Sequence, residues 1–445
     1  MRFFVSARRN LGNLGRRTKL IYLCGLLLSL YLALATTTVY VGDGKKAATE
    51  EMRLHGDVEN LYEASAAASW ADAPRWWIGP WNHPNAGYYR PLTSMLFLAE
   101  QKAFGTNFGN FNRISWLMHA LNAGLLYTLG FLIVRGQPLI RAGAGLIAVK
   151  FFATSASSYF GAPRCLLDWW PAQNDPLCLI WALASLILLQ LYLIRERRSL
   201  LWCSLFAFFL AVASKEFGYV TMPCAICLIW YHRRRLSSEM VCFALLAATM
   251  YAFRMIVVPH ALMPPPFTGI RVLRGVREWL GPFVLQLSAG TYWPSAAAAT
   301  ALLLCQAGFR FRWRWWIPGA LSLASACLFA EFSTPGGSWA TVFIGDGWRE
   351  CAADIFYIMA FVLFWKYRAE EPGMAICGCV VVSFIPILGL KPTWYYYLPG
   401  AFFALAEAVY FACLVRFARD LWTHFRPRTR SAEALPQPRD SVVQI

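Results

Sequence analysis

Residues 1–41, MRFFVSARRNLGNLGRRTKLIYLCGLLLSLYLALATTTVYV, decide how the rest of the chain is read. The first 19 residues carry Arg2, Arg8, Arg9, Arg16, Arg17 and Lys19 and no acid, and an apolar run follows from Leu20 to Val41. A cleaved signal peptide has a shorter apolar core and a small-residue cleavage site, whereas this run is long enough to cross a bilayer. It reads as an uncleaved signal anchor with a cytoplasmic amino terminus.

The remaining sequence repeats that alternation of basic cluster and apolar run. Basic residues recur at Arg135/Arg141, Arg195/Arg197/Arg198, Arg233–Arg235, Arg310/Arg312/Arg314, Lys366/Arg368 and from Arg416 to Arg439, each after a pair of apolar runs. The excess of 41 Lys and Arg over 24 Asp and Glu is therefore a topology signal and does not point to nucleic acid. A chain that is 58% hydrophobic and only 15% charged would leave a soluble surface greasy, so the lipid bilayer is its solvent. Its 32 Phe, 20 Trp and 19 Tyr exclude disorder. Thirteen cysteines, most of them inside apolar runs, give no disulfide framework and no zinc site, although Cys165 and Cys351 both fall on the expected oxidising side, where a bridge can form.

Placing every basic cluster in the cytoplasm predicts an all-α polytopic membrane protein of about 12 spans. They fall near residues 19–41, 113–134, 142–162, 176–194, 199–214, 217–232, 236–258, 282–305, 315–332, 351–366, 374–390 and 398–415. Residues 1–18 are then a basic tail, 19–41 the first helix, 42–112 a long outside loop, 113–415 the bundle and 416–445 a cytoplasmic tail, so that both termini lie inside. The spans on either side of Ser214–Phe217 are short and joined by a tight turn. Acids gather in the first half of the outside loop, at Asp43, Glu50, Glu51, Asp57, Glu59, Glu63 and Asp72. In its second half, residues 92–104 place apolar residues at helical spacing, as in a helix lying along the interface. Loops this long carry function.

Four segments in order resemble one family. Residues 87–130, GYYRPLTSMLFLAEQKAFGTNFGNFNRISWLMHALNAGLLYTLG, are similar to the first-loop signature of the transmembrane and tetratricopeptide repeat mannosyltransferases and their bacterial relatives. The likeness lies in Tyr89-Arg90-Pro91-Leu92, in the turn from Phe104 to Asn107, and in His119–Ala123 at the start of a span. Residues 174–193 resemble the family's Arg-x-Asp-Leu-Leu helix start, with Gln173 where the Arg would stand. Residues 210–235, LAVASKEFGYVTMPCAICLIWYHRRR, resemble its block of Lys-Glu, apolar span and basic end. Residues 394–406, WYYYLPGAFFALA, resemble its Arg-Tyr-Leu-Tyr-Leu-Pro-Ser block, with Trp394 in place of the Arg.

The resemblance implies a GT-C fold and a glycosyltransferase that takes a sugar from a polyprenyl or dolichyl phosphate and gives it to a protein or glycan acceptor outside the cytoplasm. The family carries adjacent acids after its first span; here Gly56-Asp57-Val58-Glu59 supplies Asp57 without an acidic neighbour. The tetratricopeptide repeats are missing, which points to a bacterial inner membrane over the endoplasmic reticulum.

Such a transfer needs a base for the acceptor hydroxyl, a counter-charge for the phosphate leaving group and room for the lipid. Asp57 or Glu59 can serve as base, or Asp57 can hold a divalent cation such as Mg²⁺ or Mn²⁺, since carboxylate oxygens suit hard metals. Arg90 and Lys215 sit at outside span ends, where a lipid phosphate lies, and are the candidate phosphate contacts. Lys215-Glu216 also reads as an ion pair closing a helical hairpin. Asp175 reads as a helix N-cap, and His119 as a hydrogen-bonded histidine on an apolar helix face. Lys150, Arg254 and Glu407 fall inside spans, where an ionisable group costs about 3 kcal/mol unless paired or wet. Two other classes fit the composition. A catalytically inactive GT-C-like subunit would explain the incomplete acidic pair; a transporter of polyprenyl-linked sugars would show internal symmetry, and the sequence has no repeat.

Overall fold

The structure is a computed structural model, and it describes residues 15–41, 57–82, 88–105, 107–158, 167, 170–258, 360–384 and 397–425. Among these, every regular element is helical. The first, α1 (Arg16–Val41), begins with Arg16, Arg17 and Lys19, the charge sign that a helix N-terminus disfavours. Helix electrostatics do not explain that placement; a membrane border does.

Three short helices follow on one end of the molecule: α2 (Asp57–Ala67), α3 (Ala73–Trp77) and α4 (Pro91–Phe104). The bundle continues with α5 (Phe108–Ile133), α6 (Pro138–Ser158), α7 (Asn174–Arg195), α8 (Arg198–Ser214), α9 (Thr221–Arg233), α10 (Ser238–Val257), α11 (Gly373–Phe384) and α12 (Tyr397–Phe425). Five helical stretches among the described residues are long and apolar enough to cross a membrane: Arg16–Ala35, Gly109–Ile133, Trp170–Arg195, Ser238–Val257 and Tyr397–Asp420. Arg198–Ser214 and Gly373–Ser383 are apolar but shorter. Leu27 and Tyr31 on α1, Trp202 and Phe206 on α8, and Leu245 and Ile256 on α10 are exposed, an apolar rim that lipid satisfies and water does not.

In lipid, helices gain no hydrophobic drive to associate, so close approach and internal hydrogen bonds hold them together. Here α5 sits among α1, α6 and α7, and α12 closes on α6. The junction of α1, α5 and α6 is built on Tyr127, which is fully buried. A Cβ at Gly25 on α1, or at Gly145 on α6, would run into the Tyr127 ring, so glycine at both places lets the three backbones meet. Tyr22 and Thr128 add a hydrogen bond of 2.9 Å between α1 and α5.

The basic clusters within the described residues gather at one end. The Arg135 N–H donates to Glu371 (3.1 Å), Arg416 pairs with Glu370 (3.0 Å) and Glu371 (2.6 Å), and Arg233 reaches Glu196 and Glu239, both at 3.3 Å. Arg234 donates to the Arg368 carbonyl at 3.1 Å. Burial raises the Glu371 carboxyl above its ordinary range although Arg416 opposes it. The opposite end carries α2, α3 and α4.

The expected spans at 113–134, 142–162, 176–194, 199–214 and 236–258 coincide with α5, α6, α7, α8 and α10 to within about a turn, and the one at 398–415 starts with α12. Three boundaries differ. The outside loop ends earlier than 112, because α5 begins at Phe108. The span expected from 217 opens as a 3-10 turn, Glu216–Val220, before α9. The tail expected from 416 starts inside α12, which continues to Phe425 because Arg416 is tied back to Glu370 and Glu371. The spans at 282–305 and 315–332, the cluster at Arg310–Arg314 and the cysteines Cys165 and Cys351 lie outside the described residues, as does most of 351–366, of which 360–366 are helical.

Candidate functional site

At the end opposite the basic clusters, α8 stops at Ser214 and the chain turns through Lys215 in extended backbone into the 3-10 turn Glu216–Val220. The turn folds tightly onto the helix it leaves. A Cβ at Gly218 would overlap the backbone of Ala211 and Val212, so only glycine lets the turn lie against α8. Lys215 and Glu216 are thereby fixed at the mouth between α7, α8 and α10.

Their partners come from three other elements. Lys215 Nζ lies 2.6 Å from Asp175 Oδ2 in the first turn of α7, and both side chains are buried. Glu216 receives Arg90, whose Nη2 and Nε stand 2.7 and 3.0 Å from Oε2. Arg90 precedes Pro91, and a residue before proline is steered away from helical backbone, so the chain bends there and α4 starts one residue later. Thr93 Oγ1 donates to the Ser214 carbonyl at 2.7 Å and docks α4 against the end of α8. The Arg90 guanidinium also lies over the rings of Tyr88 (4.2 Å) and Trp81 (4.7 Å). From α10, Arg254 Nη2 stands 3.6 Å from Glu216 Oε1.

Among the described residues, Arg90, Lys215 and Arg254 against Asp175 and Glu216 make three cations and two carboxylates, one more cation than carboxylate. Burial by itself disfavours the charged forms of Arg90 and Glu216, but each outweighs that cost for the other: Arg90 is held above its ordinary value and Glu216 below the usual carboxylate range. The Arg90–Glu216 pair is thus held in its charged form in a place of low dielectric, where an anion near the surrounding cations is attracted more strongly than in water.

The expectations for individual residues resolve as follows. Lys215 and Glu216 are both in ion pairs, but with Asp175 and with Arg90 and Arg254 instead of with one another. Asp175 makes no N-cap hydrogen bond; Gln173 occupies the cap position, and the Asp175 carboxylate is spent on Lys215. His119 Nδ1 and the Tyr397 hydroxyl share a hydrogen bond of 2.8 Å, which ties α5 to α12, and Phe152 stacks on the imidazole. Gln173 donates to the Phe111 carbonyl (2.9 Å) and Ser115 (3.0 Å), acting as a buried brace. Of the three ionisable residues placed inside spans, Arg254 joins the cluster, Lys150 is exposed and Glu407 is buried in α12.

Asp57 opens α2, and its side chain lies outside the described residues; Glu59 is exposed. The inner face of α2 is Val58 and Leu61, packed in an apolar cluster with Trp81, Phe97, Phe111 and Trp170. Asn82 donates to Ser65 at 3.0 Å and joins α2 to the segment leading to Arg90. The segment between α1 and α5 is thus, over its described part, a cap of helices lying on the charged end of the bundle. Among the described residues no group of three or more His, Cys, Asp or Glu side chains is arranged to hold a metal ion.

Sequence reasoning passes over Glu100. Glu100 accepts a 2.7 Å hydrogen bond from Trp170 Nε1 on the inner face of α4, and burial pushes its carboxyl up to about 8. Its signal is helical spacing: Thr93, Phe97, Glu100 and Gln101 share one buried stripe. Arg254 was singled out as an ionisable residue inside a span, but its meeting with Glu216 was not legible. Compared with protein-family models, with curated proteins and with solved structures, the chain finds no significant match.

Proposed function

We propose that this chain is a membrane glycosyltransferase that moves a sugar from a polyprenyl or dolichyl phosphate to a protein or glycan acceptor on the non-cytoplasmic side, in a GT-C-like bundle of about 12 spans. The observation that carries the reading is the charge surplus of the buried Arg90–Glu216–Arg254 and Lys215–Asp175 cluster beneath a helical cap, at the end away from the basic clusters. A donor phosphate brings the missing negative charge, and its leaving group gains negative charge during transfer, so fixed cations favour the transition state. Asp57, on α2 of the same cap, is the proposed base or ligand of a divalent cation, with Glu59 as the second acid. The in-order resemblance of four segments to the lipid-phosphate-sugar mannosyltransferases supports the same reading.

The test is the purified protein in lipid nanodiscs with labelled polyprenyl phosphate hexoses and a mixture of peptide and glycan acceptors. Labelled acceptor together with free polyprenyl phosphate is expected, and Asp57→Asn should lower turnover by about 10²-fold or more. One observation favours a second reading, an inactive GT-C-like subunit: Arg90 and Lys215 are each held by an internal carboxylate, and Glu59 faces outward. No turnover with any donor would favour that reading.

A further inference from the structure

The five charges of the cluster are not equally engaged. Arg90 gives two N–H groups to Glu216 and lies on two aromatic rings, and Lys215 gives its ammonium to Asp175. Arg254 differs: Nη2 stops 3.6 Å from Glu216, beyond hydrogen-bond reach, and its buried Nε has no acceptor among the described residues. Among the three cations Arg254 is therefore the least engaged by the described residues, sharing Glu216 with Arg90, and its side chain is 12% exposed.

A second donor without an acceptor lies on the same turn as Glu216, three residues on, the spacing that puts side chains of a 3-10 helix on one face. The Tyr219 hydroxyl, in the 3-10 turn that starts at Glu216, is buried and has no partner among the described residues. Its ring packs edge-on to Tyr251 at 6.2 Å, one turn before Arg254 on α10. The Thr221 hydroxyl, two residues on, is likewise buried and unmatched among the described residues. An unsatisfied buried polar group costs about 1–3 kcal/mol, and an incoming acceptor removes that cost.

A guanidinium N–H and a phenol O–H without acceptors among the described residues, beside one carboxylate shared by two guanidinium groups, make a seat for an oxyanion, and neither donor was among the phosphate contacts expected from sequence. We propose that Arg254 and Tyr219 bind a phosphate oxygen, with Thr221 at the edge of the seat, and that Glu216 serves to hold Arg254 in place. The ligand chemistry is a phosphate ester or free phosphate. That the phosphate belongs to a polyprenyl lipid rests on the proposed function; that the seat takes phosphate does not.

Binding is measured by calorimetry on the full chain in nanodiscs, with polyprenyl monophosphate, the uncharged polyprenol and inorganic phosphate as probes. Wild type is expected to bind polyprenyl monophosphate and to bind polyprenol at least tenfold more weakly. Arg254→Gln should weaken phosphate binding tenfold or more, Tyr219→Phe about threefold to tenfold, and Arg254→Lys should recover part of the loss, with melting temperatures showing that each variant folds. Should Arg254→Gln fail to fold, Tyr219→Phe carries the test, since it removes one oxygen from a ring that stays packed. Displacement of the lipid by millimolar inorganic phosphate supports a seat that reads free phosphate; binding of the lipid alone supports a seat that needs the chain attached. Equal binding of polyprenol and its phosphate, or wild-type affinity in folded Arg254→Gln or Tyr219→Phe, overturns the proposal. Phosphate binding as expected without any sugar transfer would remove the enzymatic reading and leave the seat standing.

Discussion

At the scale of residues, the outer end of the bundle is held by charges that depend on one another. Removing Glu216 strands Arg90 and Arg254 together in a buried site, and breaking a buried pair from one side costs about 3–5 kcal/mol. Glu216→Gln should therefore lower the melting temperature in detergent sharply, and Glu216→Asp less so; a Gln variant that melts with wild type would show that the pairing carries little. Glu100 makes a separate prediction. Its carboxyl sits at about 8 in the folded protein against an ordinary 4.5, so the folded state binds a proton that the unfolded state has lost. Stability from this group is full below about 4.5 and falls as pH rises to about 8. Glu100→Gln, which still accepts from Trp170, should flatten that decline in melts recorded from pH 5 to pH 9. The ionisable residues at expected span ends, Arg90, Asp175, Lys215 and Glu216, were legible because charge at a membrane border is rare and informative. Their pairing was not, because Arg90 and Glu216 meet across 126 residues of chain through the docking of α4 on α8.

At the scale of elements, the apolar runs fixed where helices lie, since a helix in lipid must satisfy its own backbone and therefore persists as long as the run does. What happens between the runs was less readable. The 3-10 turn Glu216–Val220 depends on one close approach, that of Gly218 to the backbone of Ala211, and no hydropathy pattern records it. Gly218→Ala should push the turn off α8 and lower stability by about 1–3 kcal/mol, the usual cost of overpacking, while moving Lys215 away from Asp175. A thermal melt checks the first part. An Ala variant as stable as wild type would mean that the turn has slack that the geometry does not show. The helix expected over 92–104 is α4, and it was readable because its apolar residues repeat at helical spacing; the buried Glu100 in the same stripe was not.

At the scale of the whole molecule, two polar ends are separated by an apolar waist, and they differ in character. One end carries arginines tied to Glu196, Glu239, Glu370 and Glu371; the other carries the buried charge surplus and its helical cap. On the positive-inside rule we propose that the arginine end faces the cytoplasm. Single cysteines placed at Arg234 and at Lys102 of a cysteine-free variant should then react with an impermeant maleimide from opposite sides, Lys102 from outside. Labelling of both from one side would contradict the threading. The central claim is that the capped end is where sugar leaves a lipid phosphate. Its most direct test is sugar transfer in sealed vesicles of known orientation, with labelled polyprenyl phosphate hexose and acceptor supplied to one face at a time. The account predicts labelled acceptor when both are on the face that carries α2 and α4, and at least a hundredfold less with Asp57→Asn; transfer only from the arginine face, or undiminished transfer by Asp57→Asn, would contradict it.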